Sequence, residues 1–327
     1  MLRVGIEEAA KIIKSGGVVA FPTETVFGLG GDAFNKQAIT SIYEIKGRPS
    51  DNPLILHVYS YKDANSLIHI PDYAKKLTET YWPGPLTIVG RKKQDIPDWV
   101  GGHPDNKTET LGVRMPNNDT ALRLIELSGC SIAAPSANKA GTPSPTRAEH
   151  VYNDFDIPIL FDDTAIEIGI ESTVVSVLED DPIMLRPGYI TEEMINKTTN
   201  LTCKMAAHTE VPLSPGTKYR LYAPKAPMQI LVGTDKNIID YIESSYGQLI
   251  ALMSSNHIFD KVSHCVEYWR YIGDTADVAA NCLYENLRFF DKMNVDIIYA
   301  TAIKEEGFGV AVMDRLKKAA GGKIIYV

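Results

Sequence analysis

Two cations flank one glycine in the segment Lys46 to Leu54, which reads KGRPSDNPL. Arginine offers a planar fork of donors and lysine a compact charge, so Lys46 and Arg48 together suit the oxygens of a carbonate or phosphate group. Gly47 allows the backbone to approach such a ligand closely. The pattern predicts an anion-binding site, and the competing interpretation is a helix C-terminus whose cations complement the helix dipole.

Hydroxyl and amide side chains cluster after the apolar run that ends at Ala134. Ser136 and Asn138 follow this run directly, and Ser144 lies further along the same segment. Ligands of open α/β sheets bind beyond the carboxyl ends of the strands, so this cluster is a candidate part of the same site. A local turn stabilised by serine and asparagine side chains is the alternative.

Polar residues also mark the ends of other predicted strands. Arg114 interrupts the apolar run Leu111 to Met115, while Ser172 and Arg186 stand beside two later runs. His57 ends another apolar run. Taken singly, an outward-facing strand residue would explain Arg114 and a satisfied core histidine would explain His57, so only their combination indicates a site.

Two familiar motifs are rejected on their context. Gly28 to Ala33 fits the dinucleotide pattern GxGxxA, but six residues separate its glycines from the preceding strand and the next helix is predicted only from Lys36. A dinucleotide fingerprint joins strand directly to helix. Ser136 to Lys139 fits the acyl-enzyme pattern SxxK, but Pro135 opposes a helix there and the partner motif KTG is missing from the sequence.

The composition limits the class of protein. The chain has 327 residues, 44% hydrophobic and 23% charged, which suits a soluble protein of two domains. A net charge of -8 argues against coating nucleic acid through bulk charge, although a local basic cleft is compatible with it. No apolar stretch approaches the roughly 18 residues of a membrane span. The four cysteines show no CxxC spacing, so a cytoplasmic location is expected.

Alternating helices and strands must position these residues. Met1 to Lys14 is interpreted as the start of the first helix. In the first 200 residues, helices are predicted over Glu7–Ser15, Lys36–Lys46, Thr120–Leu127 and after the cap Thr191, and strands over Val18–Phe21, Leu54–Val58, Leu86–Val89, Leu111–Met115, Ile132–Ala134, Thr173–Leu178 and Ile183–Leu185.

A cleaner βα alternation begins after Pro227 and predicts a small doubly wound parallel sheet. Its strands are predicted over Gln229–Val232, Leu249–Met253, Val295–Tyr299 and Lys323–Val327, and its helices over Lys236–Ser245, Thr275–Phe290 and Gly309–Ala319. The predicted organisation is a catalytic domain over residues 1–205, a linker or lid over 206–227 and a C-terminal domain over 228–327. Tyr219 and Tyr222 indicate that the linker packs on something, because solvated spacers lack aromatic residues.

Seven segments, taken together and in this order, resemble one family. They are FPTETVFGLG from Phe21, KGRPSDNPL from Lys46, WPGPLT from Trp82, GVRMP from Gly112, APSANKAGTPSPT from Ala134, ESTVV from Glu171 and LRPG from Leu185. This set resembles the Sua5/YrdC family of threonylcarbamoyl-AMP synthases, and the linker SPGTKYRLYAP resembles the long Sua5 form. Thr217 and Leu221 depart from the family's linker, which has methionine and histidine there.

The resemblance implies a fold and a reaction. The fold is a YrdC-like twisted α/β domain with a concave cleft, followed by a smaller Rossmann-like parallel-sheet domain. The reaction makes threonylcarbamoyl-AMP and pyrophosphate from L-threonine, bicarbonate and ATP, and a tRNA threonylcarbamoyl transferase complex receives the product. Mg²⁺ is expected to arrive with ATP rather than in a protein metal site. Weak tRNA contact is expected, and no membrane contact.

The resemblance also implies residue roles. Lys46 and Arg48 are the expected catalytic residues, holding bicarbonate and the phosphates. The expected L-threonine ligands are Thr23, His57, Arg114 and Ser172. The expected ATP ligands are Lys46, Arg48, Asn52, Thr110, Ser136, Asn138, Ser144, Arg186 and Tyr222.

One hypothesis and two alternatives accompany this interpretation. The linker is expected to fold across the cleft as a lid, with Tyr222 reaching the phosphates or product. The first alternative is an RNA-binding module that binds tRNA without consuming ATP. The second is a related carbamoyl-transfer or acyl-adenylate enzyme that uses another carboxylated substrate.

Overall fold

The computed structural model describes residues 2–162, 166–206, 221–245 and 247–327. The chain divides into two compact units, of which the first comprises Met1–Ala140 and Ser144–Tyr219, and the second Gly141–Pro143 and Arg220–Val327. Most of the predicted linker, residues 207–220 with Thr217 and Tyr219, lies outside the described residues. The predicted boundaries at 205 and 227 therefore stay predictions.

The described strands of the first unit form one mixed sheet of eleven strands. They are β1 (Leu2–Val4), β2 (Val19–Phe21), β3 (Gly28–Asp32), β4 (Ile55–His57), β5 (Leu86–Arg91), β6 (Thr110–Arg114), β7 (Ile132–Ala133), β8 (Pro158–Leu160), β9 (Thr173–Ser176), β10 (Ile183–Arg186) and β11 (Lys204–Met205). Their order is β1-β8-β2-β3-β7-β4-β6-β5-β9-β10-β11. The helices are α1 (Ile6–Lys14), α2 (Lys36–Lys46), α3 (Tyr61–Leu67), α4 (Asp72–Tyr81), α5 (Asp119–Ser128), α6 (Ala148–Asp154) and α7 (Glu192–Thr199).

Both faces of this sheet are covered by apolar side chains. Along β2, Val19 and Phe21 join one core cluster while Ala20 joins another, as strand alternation requires. The helices α1 and α5 contribute to the cluster that contains Val19 and Phe21. Such coverage leaves the strand ends and the loops beyond them as the places for polar ligand contacts.

Two local predictions differ from the structure. The first residues form strand β1, which pairs in parallel with β8, rather than the start of a helix. Residues Gly28–Asp32, for which no strand was predicted, form strand β3, antiparallel to β2. Gly30 is required there because a Cβ atom would lie 2.6 Å from the Phe21 ring and 2.7 Å from Ile132. Helix α2 begins at Lys36 as predicted, so these glycines do not lead directly into a helix N-terminus.

The second unit contains a five-stranded sheet in the order β14-β13-β15-β12-β16, and every described strand pair in it is parallel. Its strands are β12 (Met228–Val232), β13 (Ile250–Ser254), β14 (Tyr268–Tyr271), β15 (Ile297–Thr301) and β16 (Ile324–Tyr326). Its helices are α8 (Asp235–Ser244), α9 (Asn256–Val262), α10 (Ala276–Phe290) and α11 (Gly309–Ala319). The predicted α/β class with a second, parallel sheet is confirmed. None of the helices in the described ranges is both long enough and apolar enough to cross a membrane.

Candidate active site

Helix α2 ends at the predicted anion site. Asn35 caps its start by accepting the Ala38 N–H at 3.1 Å. At its other end Gly47 adopts a left-handed conformation with φ 59°, which terminates the helix after Lys46. Glycine enters this conformation without the strain that a side chain would bring. The turn therefore places Lys46 just before it and Arg48 just after it.

Lys46 contacts the second predicted cluster. Its side chain is buried, and Nζ donates hydrogen bonds to the backbone carbonyls of Ser136 and Asn138, the latter at 2.5 Å. The Ala140 N–H in turn donates to the Lys46 carbonyl at 2.9 Å. Two polar clusters that are distant in sequence thus meet around one ammonium group.

Arg48 and Asn52 form one hydrogen-bonded loop. The Arg48 Nε donates to the Asn52 carbonyl at 3.0 Å, and Nη2 donates to Asn52 Oδ1 at 2.8 Å and to the Pro53 carbonyl at 2.6 Å. The Tyr43 hydroxyl also donates to the Asn52 carbonyl, at 2.9 Å. This bonding fixes the position of the Asn52 amide beside the guanidinium group.

Parallel pairing of β4 with β6 places His57 beside Arg114. Arg114 is buried, and its Nε donates to the Gly84 carbonyl at 3.2 Å while Nη1 donates to Thr25 Oγ1 at 2.9 Å. Its Nη2 lies 2.5 Å from Oε2 of Glu24 in a buried ion pair. Arg114 is therefore held by the strand pairing and by two loops, not exposed as an ordinary surface residue of its strand.

Thr23 belongs to the same hydrogen-bonded group. Its Oγ1 donates to the Val26 carbonyl at 2.7 Å and lies 2.9 Å from Oγ1 of Thr25, which accepts from Arg114. Three of the predicted threonine ligands, Thr23, His57 and Arg114, are thus brought together by β2, β4 and β6.

The fourth predicted threonine ligand, Ser172, contacts Arg186, which is one of the predicted ATP ligands. Its Oγ lies 2.9 Å from Thr87 Oγ1 and accepts from Arg186 Nη2 at 3.1 Å. Arg186 Nε also donates to the Ser172 carbonyl at 3.1 Å. Next to Ser172, Glu171 accepts a 2.6 Å hydrogen bond from Ser144. Ser144, Ser172 and Arg186 therefore form one buried network, as their burial also indicates.

Two predicted ATP ligands, Thr110 and Tyr222, lie outside these hydrogen-bonded networks. Thr110 lines a cavity of about 490 Å³ together with Ser50 and Asp51, next to the Arg48 loop. Tyr222 belongs to the second unit, where its buried ring lies 5.1 Å from that of Tyr284. Its contact with the phosphates stays a prediction.

Four residues of these networks were not predicted as site residues. Glu24 and Thr25 lie in the loop between β2 and β3, Thr87 lies on β5, and Glu171 precedes Ser172. For Glu24 and Thr25 the sequence signal was the polar stretch PTET between two apolar runs, which the pattern alone could not distinguish from a turn.

Burial and the neighbouring positive charge of Arg114 lower the pKa of His57 to about 3. The imidazole is therefore neutral at ordinary pH and presents a neutral donor or acceptor to a ligand. Its Nδ1 is buried and has no hydrogen-bond partner among the described residues.

We expect this pKa to make stability depend on pH. The unfolded chain, with a histidine pKa of about 6.5, binds the proton that folded His57 rejects, so the stabilising contribution is complete above pH 6.5 and is lost as pH falls toward 3. At pH 5 the loss is about 2 kcal/mol. Urea unfolding at pH 7.5 and pH 5 measures it, and His57→Gln is expected to reduce this pH dependence. An equal pH dependence in both proteins would contradict the assignment.

Within the ranges that the structure describes, no group of three or more histidine, cysteine, aspartate or glutamate side chains is placed to hold a metal ion. The polar groups of the site are cations, hydroxyls, amides and the two separate carboxylates of Glu24 and Glu171. Together with the mixed sheet, they define an α/β protein whose site suits small polar and anionic ligands.

Comparison with known proteins gives the family. Residues 11–188 match the Sua5/YciO/YrdC family model, described as telomere recombination, and residues 190–321 match the model of the threonylcarbamoyl-AMP synthase C-terminal domain. The chain is 41% identical to the threonylcarbamoyl-AMP synthase of Pyrococcus abyssi, over 98% of this chain and 96% of that protein. It is 42% identical to the Bacillus subtilis protein of the same name, over 98% and 94%.

The structural comparison agrees. The crystal structure of P. abyssi Sua5 complexed with L-threonine superposes with a TM-score of 0.90 and 39% sequence identity, covering 100% of this chain and 98% of that one. The chain belongs to the Sua5/YrdC family of threonylcarbamoyl-AMP synthases.

Proposed function

We propose that this protein joins L-threonine, bicarbonate and ATP into threonylcarbamoyl-AMP and releases pyrophosphate. The observation that carries the proposal is the contact of the buried Lys46 ammonium group with the Ser136 and Asn138 carbonyls, which unites the two clusters expected to hold the anionic reactants. Relatives that align over nearly the whole chain are named for this activity.

The chemistry requires positioning more than a protein nucleophile. The neutral amine of threonine attacks the carbon of bicarbonate; a C–N bond forms, and the bicarbonate hydroxyl leaves with one amine proton as water, which gives an N-carboxy group. One oxygen of that group then attacks the α-phosphorus of ATP, and pyrophosphate leaves. Negative charge accumulates on the reacting oxygens, and fixed cations stabilise it most where water is excluded. Lys46 and Arg48 are the groups we assign to bicarbonate and the phosphates.

We assign the remaining residues to the other two substrates, ATP and L-threonine. We assign Asn52, Thr110, Ser136, Asn138, Ser144, Arg186 and Tyr222 to ATP, which brings Mg²⁺ with it as part of the substrate. We assign Thr23, His57, Arg114 and Ser172 to L-threonine, with Arg114 meeting the carboxylate. The complex of P. abyssi Sua5 with L-threonine supports this choice of amino acid.

A second reaction must then use the threonylcarbamoyl-AMP that this protein makes. An acyl-adenylate is a transfer donor, and we propose that a tRNA threonylcarbamoyl transferase complex takes it in the cytosol. The net charge of -8 suits a protein that makes at most weak contact with tRNA itself.

The test is to mix the protein with ATP, labelled bicarbonate and L-threonine and to look for labelled adenylate and pyrophosphate. We expect both, and neither when threonine is omitted. Arg48→Ala is expected to lower the rate about ten- to hundredfold, because a hydrogen bond to a charged group contributes about 1.5–3 kcal/mol. Pyrophosphate release that persists without threonine would indicate another substrate, and tRNA binding without ATP consumption would indicate an RNA-binding module.

A further inference from the structure

The second unit has a cavity of its own, which we call the strand-end crevice. Its volume is about 640 Å³, and residues that follow four of the parallel strands line it. Asp235 follows β12, His257 follows β13, Asp274 follows β14 and Lys304 follows β15. Sites for small molecules have volumes of roughly 300–1,000 Å³, so the crevice is large enough to hold one.

The strand order explains why a crevice forms at this place. Along the order β14-β13-β15-β12-β16, the connections through α8 and α9 run in one direction, and those through α10 and α11 run back. Because crossovers between parallel strands are right-handed, the two pairs of helices lie on opposite faces of the sheet. Helices α8 and α9 accordingly share one apolar cluster, while α10 contacts α11. Neighbouring strands thus send their connections to opposite faces, and doubly wound sheets bind ligands in the crevice that this opens beyond the strand ends.

A chain of hydrogen bonds fixes one side of the strand-end crevice. Asp235 Oδ2 lies 2.8 Å from His257 Nε2, and His257 Nδ1 lies 3.0 Å from Ser255 Oγ. These contacts join the residues after β12 to those after β13 and hold the Asp235 carboxylate through one of its oxygens. The side chain of Asp235 is nevertheless 65% exposed, so its other oxygen, Oδ1, can accept a hydrogen bond from a ligand.

The charges around the crevice oppose a phosphate group. Three carboxylates line it, those of Asp235, Asp274 and Glu306. The one lysine among the described lining residues, Lys304, has its Nζ 2.7 Å from Glu306 Oε2. Asp235 also begins α8, so its carboxylate lies at the helix N-terminus that would otherwise attract a phosphate. The crevice therefore suits a ligand that donates hydrogen bonds and carries no negative charge.

The buried side of the crevice is apolar. Leu231, Ile258 and Ile272 line it, and each is almost completely buried. A flat ring that packs against these side chains is removed from water, which favours binding. A ligand that matches both sides of the crevice thus has an apolar ring at one end and hydroxyl donors at the other. A nucleoside has this form, because its base has apolar faces and its ribose carries two neighbouring hydroxyls.

We propose that the strand-end crevice binds a ribonucleoside without phosphate groups, with its base against Ile258 and Ile272 and its ribose hydroxyls donating to Asp235. All of the lining residues belong to the second unit. The inference goes beyond the proposed function, since neither that reaction nor the residues assigned to it require this site. Hydrogen bonds from hydroxyls to a carboxylate are charge-assisted and stronger than those between neutral groups, so the ribose contributes much of the specificity.

Titration calorimetry with adenosine tests the proposal. ATP and Mg²⁺ are present in excess and threonine is absent, so that the site assigned to ATP is occupied and no turnover occurs. We expect adenosine to bind, and 2′-deoxyadenosine and AMP to bind about ten- to hundredfold more weakly. The first lacks a hydroxyl, and the phosphate of the second meets the carboxylates. A failure of adenosine to bind at millimolar concentration, or binding of AMP as tight as that of adenosine, would overturn the proposal.

Three variants show whether adenosine binds in the crevice. Asp235→Asn keeps the shape of the side chain and should weaken adenosine about tenfold or more, because it removes the charge that accepts the hydroxyls. Ala276→Trp places a ring in the crevice, which Ala276 lines, and should abolish binding. The matched control is Asp240→Asn, which removes the same charge from an exposed position of α8 outside the crevice and should bind adenosine as the native protein does.

Unchanged affinity for adenosine in either crevice variant would place the ligand elsewhere and overturn the proposal. A circular dichroism melt establishes that each variant is folded. Should Ala276→Trp not fold, Asp235→Asn decides, because its side chain is exposed and its loss of charge has the Asp240→Asn control. A native protein that binds adenosine here but makes no adenylate from threonine would refute the proposed function and leave this inference intact.

Discussion

Lys46→Met is expected to lower kcat/KM for ATP by about a hundred- to thousandfold, the usual effect of removing one fixed donor from a site of developing negative charge. The substitution keeps an unbranched side chain as far as Cε and removes the ammonium group. Two effects then combine: the reacting oxygens lose a positive charge, and the carbonyls of Ser136 and Asn138 lose their shared donor. Steady-state kinetics of pyrophosphate release measure the change.

Lys92 offers a matched control for this variant. It is also largely buried, and its Nζ donates to two backbone carbonyls, those of Pro97 at 3.1 Å and Asp98 at 2.9 Å. Burial lowers the pKa of Lys92 to about 8. Lys92→Met should therefore destabilise a loop in a comparable way while leaving kcat/KM near its native value. An equal loss of activity in both variants would show that Lys46 acts only through folding.

Arg114→Gln is expected to lower the free energy of unfolding by about 3–5 kcal/mol, because it leaves the buried carboxylate of Glu24 without its counter-charge. Urea unfolding followed by tryptophan fluorescence measures this loss in a Trp269→Phe background, in which the remaining tryptophans, Trp82 and Trp99, both lie in the first unit. The same variant should abolish threonine-dependent turnover at ordinary threonine concentrations, since it removes the cation assigned to the substrate carboxylate.

Two further variants separate charge from packing in this prediction. Arg123→Gln breaks an ion pair of the same 2.5 Å length whose partners are 58% and 43% exposed, and should cost at most about 1 kcal/mol. The double variant Arg114→Gln with Glu24→Gln removes both buried charges and should be more stable than Arg114→Gln alone. Additive losses in the double variant would contradict the idea that an unpaired charge causes the destabilisation.

Several elements were predictable because local signals determined them. Helix α2 has the predicted bounds, since Asn35 caps its first turn and Gly47 ends it in a left-handed conformation. Thr191 caps α7 as expected, accepting the Met194 N–H. The parallel sheet of the second unit was predictable for a similar reason, because regular βα alternation admits few connections.

Other elements gave no such signal. Strand β1 has three residues and pairs with β8, which lies far along the chain, so its partner cannot be read from its own sequence. Strand β3 is rich in glycine, which disfavours strands locally, and it forms because Gly30 lets Phe21 and Ile132 pack against its backbone. In both cases tertiary pairing overrides the local preference.

In the candidate site, too, some residues were predictable from the sequence and others were not. Residue types pointed to Lys46, Arg48, Ser136 and Asn138 as candidates, but each cluster alone also suited a helix end or a local turn, so only the combination of clusters indicated a site. The roles of Glu24 and Thr25 arise only when β2 and β6 bring their loop and Arg114 together.

By itself, the order of motifs along the chain determined the family, the α/β class and the chemical character of the site. Only the tertiary structure decided which carbonyls the Lys46 ammonium contacts and which carboxylate faces Arg114. The physical reason is that these contacts join residues from distant parts of the sequence. Their distances depend on the order of strands in the sheet and their energies depend on burial, and local sequence encodes neither.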